Sequence, residues 1–434
     1  MNQPDAIIIG AGVIGCAVAF ELAKKQLRVL VIDKNDEVGA GSTANSCAVV
    51  RTCYSTYQGV ALAYEGLHYW RDWANYLEVA DERGLAKFVQ CGMCQIIAPD
   101  GHWERVKPHY DAIGIQYEEW TAAEARANMP MWHTGFYYPP TLPGDDAFWQ
   151  EPASEVPGVL YVPGEGYIND PMLAAHNLRR AAENYGAEFL LSSVVTAIRR
   201  SGGRVRGVTL AGGEEIDAPV VVNVGGPHSA IINRMAGIEA EMGIATRPLR
   251  HEVHFVPAPP GVDYQHGGKV TADTGNGIYF RPETGNLILV GSTDPACDPL
   301  EWVDDPDNFN RSVTTERWQA QTYRLARRFK DLRVPNQMQG VVDLYDASDD
   351  WIPIYDKSSL GGYYMAIGTS GNQFKNAASA GHLMAELIDR CEHGHNHDAD
   401  PVQVAGRYTG LQLDAGFYSR QRNINKGSSF SVLG

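Results

Sequence analysis

The sequence predicts an α/β protein in which a doubly wound sheet carries an inserted, mainly antiparallel β-sheet domain. Three observations support this fold class. An apolar run near the N-terminus leads into a glycine-rich turn, a helix and a second apolar run. Two later apolar runs also end in glycines that precede helical patterns. Between these segments lie strand-like stretches and proline-rich loops, which are typical of a separate β-rich layer.

The N-terminal segment has the pattern of a Rossmann-like dinucleotide site. Ala6–Ile9 is a short, branched apolar run, which predicts a buried strand, and Gly10-x-Gly12-x-x-Gly15 follows it. These glycines would permit a tight turn, close approach of a pyrophosphate and close packing of the next helix. That helix would point its free N–H groups at the phosphates. The following strand ends at Asp33, whose carboxylate can accept both ribose hydroxyls, so NAD or FAD is favoured over a 2′-phosphorylated cofactor.

Length and composition limit the classes of function. The 434 residues suffice for two or three domains, and the formal net charge of −16 disfavours nucleic acid as a partner. Beyond the N-terminal motif, no apolar run is long enough for a transmembrane helix, so we expect no membrane segment. The seven cysteines have no disulfide-framework spacing, which suits the cytoplasm. Neither Cys91-x-x-Cys94 nor the histidines of 393–397 have complementary ligands nearby, so we expect no metal site.

Three later segments bring further backbone N–H groups to the ends of predicted strands. The loop 37–51 is rich in glycine, serine and alanine, and it could continue along a pyrophosphate to the reactive ring of a flavin. The apolar run 220–224 ends in paired glycines before a helix. The run 362–367 also ends in glycines that open a helix. Its N–H groups would suit the negative charge that develops on a reduced flavin.

Three of these segments together resemble a known family. The N-terminal fingerprint, GSTANSCAVVR (41–51) and GTSGNQFK (368–375) lie in the order found in D-amino-acid-oxidase-like FAD oxidoreductases. The nearest relatives look to be sarcosine oxidases and dimethylglycine dehydrogenases, and the resemblance reaches about residue 390. It implies that hydride leaves the carbon next to an amine nitrogen for flavin N5, and that the imine then hydrolyses in water.

The resemblance and the change of texture along the chain predict two discontinuous domains and a tail. The predicted FAD-binding domain comprises residues 1–87, 160–245 and 336–391, the substrate domain comprises 88–159 and 246–335, and 392–434 form the C-terminal tail.

The family's cofactor contacts carry over to this sequence by position. The residues expected to bind FAD are Gly10, Gly12, Val13, Ile14, Gly15, Asp33, Lys34, Gly41, Ser42, Ser46, Cys47, Val195, Gly225, Gly226, Gly371, Asn372, Gln373, Phe374 and Lys375. The cysteine that tethers FAD in monomeric sarcosine oxidases matches Asp343, and the early loop lacks the histidine of dimethylglycine dehydrogenases. We therefore expect noncovalent FAD.

Arg51 and Lys375 match the two cations that hold a substrate carboxylate in monomeric sarcosine oxidases. Arginine offers a planar fork to a carboxylate, and lysine offers a point charge. A lysine at the start of a helix opposes the helix dipole, which indicates that it has a partner. An α-amino acid is therefore the expected substrate class.

The strand that follows residue 277 departs from the family's pattern. The family's pocket tyrosine and histidine match Phe280 and Thr293, although a register shift of one residue would put Tyr279 in the pocket. Tyr279 and Arg281 share one face of this strand. Each could either line the substrate pocket or simply pack within the sheet. The oxygen-activating lysine matches Leu289. Both O2 and an electron-transfer acceptor therefore remain candidates.

The sequence thus predicts an FAD-dependent enzyme that oxidises the C–N bond of a secondary, N-substituted or other α-amino acid. No catalytic base is evident, and hydride transfer from a neutral amine requires none. One alternative is a 2-hydroxy acid dehydrogenase, which needs a base; His228, His251 and His254 are candidates, although none occupies a flavin-facing match. Another is a flavin-carrying subunit of a larger electron-transfer complex that docks through its tail.

Overall fold

The computed structural model describes residues 3–99 and 101–434, and it contains a six-stranded sheet at its centre. Five strands are parallel, and one edge strand is antiparallel. From that edge, the order is Ile354–Lys357, Tyr363–Ile367, Val220–Asn223, Ala6–Ile9, Val29–Ile32 and Glu188–Leu190. The strand order changes direction beside Ala6–Ile9. Ligands of doubly wound folds bind at such a switch point, outside the carboxyl ends of the strands.

Both faces of the central sheet are covered. On one face, Ala6 and Ile8 pack into a core with the helices Val13–Lys24, Pro171–Asn184 and Ala377–Glu392. On the other face, Ile7 and Ile9 join a second core. That core includes helix Ser229–Ala236 and a three-stranded sheet formed by Val195–Ser201, Arg204–Leu210 and Glu215–Asp217. Burial on both faces explains why the central strands are continuous apolar runs.

A second sheet has nine strands and is almost entirely antiparallel. Eight lie in the order Glu301–Trp302, Thr246–Pro257, Leu287–Ser292, Ile278–Glu283, Val270–Asp273, Met93–Ile96, Val159–Val162 and Glu118–Trp120. The ninth, Gly340–Ser348, pairs with Thr246–Pro257. One face of this sheet packs on the helices Tyr264–Gly267 and Thr315–Arg328. The fold class predicted from the sequence is therefore confirmed.

Smaller elements complete the chain. The other helices are Tyr57–Arg71, Trp73–Leu77, His102–Ile113 and Ala122–Asn128, with 3-10 turns at Asp146–Trp149, Gly226–His228, Glu239–Glu241, Thr274–Asn276, Phe374–Asn376 and Ala415–Tyr418. A small three-stranded sheet consists of Val49–Val50, Gly166–Ile168 and Phe88–Val89. A two-stranded sheet consists of Gln403–Ala405 and Gln412–Asp414. Across the residues described, no helix has both the length and the apolar character needed to cross a membrane.

Side-chain caps explain where several of the helices begin. Asp170 accepts a hydrogen bond from the backbone N–H of Leu173 at 2.9 Å, and Pro171 occupies the first helical position, as the capping pattern indicates. Helix His102–Ile113 lacks such a signal, because Gly101 before it supplies no side-chain cap and Pro108 lies inside it. Proline removes a backbone donor and normally interrupts a helix, so the local signal there was misleading.

Two strands of the antiparallel sheet fall within segments that the sequence assigned to the FAD-binding domain. Strand Gly340–Ser348 lies in the segment 336–391, and most of Val159–Val162 lies in 160–245. Both segments were assigned from local texture. The pairing partner of a strand is set by contacts with residues far away in sequence, which local patterns do not reveal.

The tail 392–434 packs on the rest of the chain. Val402, Leu413 and Tyr418 belong to the core beneath the central sheet. Arg407 forms an ion pair with Glu21 at 2.8 Å. The tail is thus an integral layer of the molecule.

Candidate active site

A cavity of about 620 Å³ lies at the carboxyl ends of the central strands Ala6–Ile9, Val29–Ile32 and Val220–Asn223. This volume is in the range typical of ligand sites, roughly 300–1,000 Å³. All of the residues predicted to bind FAD line its wall. We call the wall around Gly10, Gly15 and Asp33 the glycine region, and the wall around Arg51 and Lys375 the cation region.

The glycine region is shaped by backbone that leaves no room for side chains. Gly10 has a φ of +114°, and a Cβ there would lie 2.3 Å from the carbonyl oxygen of Val224. A Cβ on Gly15 would lie 1.9 Å from the carbonyl oxygen of Gly10. The first turn of helix Val13–Lys24 carries no acidic side chain. Phosphates can therefore approach the helix N–H groups without steric or electrostatic opposition, which fits the pyrophosphate of a dinucleotide.

Asp33 joins the strand end to the glycine turn. Its Oδ2 accepts a hydrogen bond from the N–H of Ala11 at 2.6 Å, and its Oδ1 accepts one from Asn35 at 2.8 Å. The carboxylate is only partly buried and lines the cavity, so it can also accept ribose hydroxyls. Lys34 beside it pairs with Asp307, which brings the loop around residue 307 to this side of the cavity.

The loop between residues 41 and 47 connects the cavity to the antiparallel sheet. Ser42 donates its hydroxyl to the carbonyl oxygen of Leu344 at 2.8 Å. The thiol of Cys47 lies 2.9 Å from the hydroxyl of Tyr279, and the Cys47 carbonyl accepts a bond from Arg281 at 2.7 Å. Arg281 therefore fixes the loop backbone and does not line the cavity.

The cation region contains two buried positive side chains. Arg51 is 6% exposed and Lys375 is 3% exposed. The Arg51 guanidinium carbon and the Lys375 Nζ lie 4.8 Å and 4.9 Å from the centre of the Tyr54 ring. Arg51 donates to the carbonyl oxygen of Val432 at 2.7 Å, and Lys375 donates to that of Asn372 at 2.6 Å. Among the described residues, no carboxylate forms an ion pair with either cation.

The charge of Lys375 is only partly compensated. Burial and then the charge of Arg51 hold the pKa of Lys375 well below its ordinary value. Glu165 is the acid that opposes this shift, but burial raises its own pKa, and its Oε1 accepts the N–H of Thr52 at 2.6 Å. An anionic ligand at this wall would favour the protonated lysine.

Helix Tyr57–Arg71 supports the backbone of Lys375. The indole N–H of Trp70 donates to the Lys375 carbonyl at 2.7 Å, and the Trp70 ring stacks on Phe374 at 5.5 Å. A Cβ on Gly66 would lie 2.8 Å from the same carbonyl. The aromatic residues of this helix are therefore both core and the support that positions Lys375.

Two residues predicted for the pocket do not line the cavity. Phe280 packs against Trp132 and Phe329 on the opposite side of the antiparallel sheet. Thr293 is buried beyond the end of its strand. Tyr279 lines the cavity instead, because successive residues of a strand point to opposite faces. In the structure, therefore, Tyr279 and not Phe280 takes the position on the cavity wall.

Several lining residues were missed in the sequence. Tyr345 lies two positions after Asp343 on one strand face, so alternation from that position could have identified it. His251, which the sequence offered as a candidate base without a flavin-facing match, lines the cavity and stacks on Tyr345 with a ring separation of 4.0 Å. Val432 and Leu433 also line it, and no local pattern marks them.

A glycine turn at a switch point and an acid at the end of the second strand are the features of a dinucleotide-dependent enzyme. The chain belongs to the DAO family of FAD dependent oxidoreductases, whose family model matches residues 5–387. It is therefore an FAD-dependent oxidoreductase. The glycine region fits this cofactor by its open backbone and its acceptor at Asp33.

Known proteins resemble the chain along nearly its whole length. It is 26% identical to glycine oxidase from Geobacillus kaustophilus, covering 90% of this chain and 94% of that protein. It is also 26% identical to sarcosine oxidase subunit beta from Rhodobacter capsulatus, and the match covers 88% of this chain and 84% of that protein. The structure of L-proline dehydrogenase from P. horikoshii superposes with a TM-score of 0.76 at 21% identity, covering 97% of each chain. The last likeness concerns the fold.

Proposed function

We propose that this enzyme oxidises the C–N bond of an α-amino acid whose carboxylate is held by Arg51 and Lys375. The observation that carries the proposal is a buried guanidinium beside a buried lysine on the cavity wall, for which no described residue supplies an ion-pair partner. Buried charges are normally paired, so a ligand anion would complete the site. Two similar proteins, named glycine oxidase and sarcosine oxidase subunit beta, point to the same substrate class.

The glycine region would hold FAD, whose flavin would supply the acceptor for a hydride equivalent from the carbon next to the amine nitrogen. Arg51 would offer its planar fork to one carboxylate, and Lys375 would add a second charge-assisted contact. Burial raises the pKa of Tyr279 and of Tyr345 well above the ordinary value. Both phenols therefore remain protonated and can donate hydrogen bonds, whereas neither is suited to accept a proton. The amine would bind in its neutral form, and positioning would supply most of the catalysis.

We infer that FAD is held without a covalent bond. The glycine region would bind the ADP portion, and residues 371–374 would meet the flavin. Asp343 stands where the sarcosine oxidases have a tethering cysteine, and it accepts a hydrogen bond from the side chain of Asn45 at 2.7 Å. A carboxylate at this position cannot form a thioether.

A 2-hydroxy acid dehydrogenase is the competing proposal, and His251 on the cavity wall is the observation that favours it. Oxidation of an alcohol requires a proton acceptor, and the best acceptors have pKa values near the working pH. Burial lowers the pKa of His251 to about 3, so it is a weak base. An amine substrate, which can bind without its extra proton, makes no such demand.

The test compares four small substrates that differ in one group. The holoenzyme would be titrated anaerobically with glycine, N-methylglycine, glycolate and methylamine, and the loss of oxidised-flavin absorbance would be measured. We expect bleaching by at least one amino acid and by neither glycolate nor methylamine. Bleaching by glycolate alone would support the hydroxy acid activity, and bleaching by methylamine would contradict the carboxylate requirement.

The electron acceptor is a separate part of the proposal. Leu289, which matches the family's oxygen-activating lysine, is buried and pairs across the sheet with Arg281. A leucine cannot stabilise superoxide as a cation does. We therefore propose that the reduced enzyme reacts faster with an artificial electron acceptor than with air, which stopped-flow reoxidation would measure.

A further inference from the structure

The segment 428–434 lies beside the cation region of the cavity, although it is far from Arg51 and Lys375 in sequence. Within it, Val432 and Leu433 line the cavity. Leu433 is buried against Met93, Val270 and Ala272, which belong to two strands of the antiparallel sheet. The segment therefore places apolar side chains between that sheet and the cations.

Val432 packs on different partners from those of Leu433. It is buried with Leu249, Ala347 and Trp351, and Tyr345 packs against the same cluster. Because Tyr345 also lines the cavity, the Val432 side chain and this phenol form neighbouring parts of one wall. Substrate atoms near this wall would meet aliphatic surface from a segment outside the family match.

The backbone of the segment is fixed beside the cations. The carbonyl oxygen of Val432 accepts the Arg51 guanidinium at 2.7 Å. The carbonyl oxygen of Gly434 accepts both the hydroxyl of Ser55 at 2.8 Å and its N–H at 3.1 Å. A Cβ on Gly434 would lie 2.3 Å from the Tyr54 ring. These contacts hold the two apolar side chains in fixed positions relative to Arg51.

We propose that Val432 and Leu433 determine the size of the substrate, by forming the wall against which its α-substituent or N-substituent packs. The inference rests on the proposed carboxylate site. A carboxylate on Arg51 would lie next to the Val432 carbonyl, and in an α-amino acid the first atoms of the two substituents are only two or three bonds from the carboxylate carbon. The wall thus selects small amino acids. The carbonyls of Val432 and Cys53 each accept a hydrogen bond from one terminal nitrogen of Arg51, so the remaining guanidinium donors are the ones left for the substrate.

The test uses simple carboxylates as probes, so it does not depend on turnover. Acetate, butanoate and hexanoate would be titrated into the holoenzyme, and binding would be followed by the change in flavin absorbance. In Leu433→Ala or Val432→Ala, we expect the affinity for hexanoate relative to acetate to rise by about tenfold, a typical effect of adding apolar pocket space. Leu433→Phe should change the ratio in the opposite direction. Phe430→Ala is the control, because that side chain is 45% exposed in the same segment.

The outcomes separate this inference from the proposal beneath it. If the carboxylates bind and the hexanoate-to-acetate ratio is the same in the wild type and in all of these variants, the wall does not determine size. If none perturbs the flavin of the wild-type enzyme, the carboxylate site itself is wrong and the inference is overturned with it. Flavin content and the thermal unfolding midpoint identify misfolded variants. Should one alanine variant misfold, the other and Leu433→Phe decide the result.

Discussion

The glycine region and the cation region line the same cavity but are built by different means. In the glycine region, a contact such as Ala11 N–H to Asp33 joins residues 22 positions apart. In the cation region, the contact between Arg51 and Val432 spans 381 positions. The first region consists mainly of backbone groups in one local motif. The second consists of side chains from three distant parts of the chain.

This difference determines how each region should respond to substitution. A backbone site fails when a side chain fills the space that it needs, and it fails for every ligand. A side-chain site loses one interaction at a time, so its defects should depend on the ligand. The predictions below test this contrast.

The largest effect is expected at the glycine turn. Gly10→Val would place a branched side chain at a φ of +114° and against the Val224 carbonyl. We expect loss of bound FAD and a drop in the free energy of unfolding of more than ~3 kcal/mol. Flavin-to-protein absorbance and urea unfolding would measure both.

Gly212→Ala is the control for that variant. Gly212 does not line the cavity, and a Cβ there meets no atom within 4 Å. Its flavin content and unfolding midpoint should equal those of the wild type. Equal losses in the two variants would mean that the glycine turn has no special steric role.

Loss of either cation should weaken carboxylate binding while leaving the flavin bound. A hydrogen bond to a charged group contributes about 1.5–3 kcal/mol, so Arg51→Met or Lys375→Met should each weaken substrate affinity by about 10- to 100-fold. Anaerobic flavin titration measures this. Arg311→Met removes a cavity-lining charge outside the cation region and should have little effect. Full affinity in both cation variants would refute the carboxylate site.

Carboxylate binding should also depend on pH through Lys375. Because its pKa is lowered in the free enzyme, the side chain is neutral above that pKa, and an anion must bind together with a proton. Affinity should therefore fall as pH rises, by up to about tenfold per unit. Acetate titrations between pH 6 and 9 would trace this dependence. The Lys375→Met variant should show a flatter profile, and an equally steep one would assign the proton elsewhere.

The smallest effect on turnover is expected at Tyr279, whose neighbour Phe280 on strand Ile278–Glu283 should instead affect stability. Tyr279→Phe removes one hydroxyl from the cavity wall and should change kcat/KM by only about 2- to 10-fold, with stability unchanged. Phe280→Ala should instead cost about 3–5 kcal/mol of stability, because the ring is buried against Trp132 and Phe329. A reversed pattern would contradict the register of this strand.

The same contrast explains what could be predicted. The glycine turns and Asp33 were identified correctly as structural features, since each depends on residues close together in sequence. The resemblance pointed to Arg51 and Lys375, and the structure brings both to one tyrosine ring. Phe280 was matched to the substrate pocket but lies on the other face of its strand, because a register shift of one residue moves every side chain to the opposite face. The stacking of His251 on Tyr345 at the cavity wall depends on the pairing of two strands that are far apart in sequence.

The sequence by itself determined the backbone of the cofactor site, because φ angles, glycine space and helix starts are properties of short segments. Only the tertiary structure decided which side chains face the cation region. The segment 428–434 packs beside Arg51 only because the antiparallel sheet and residue 51 come together in the folded chain. These contacts join residues that are hundreds of positions apart, so no short sequence pattern encodes them.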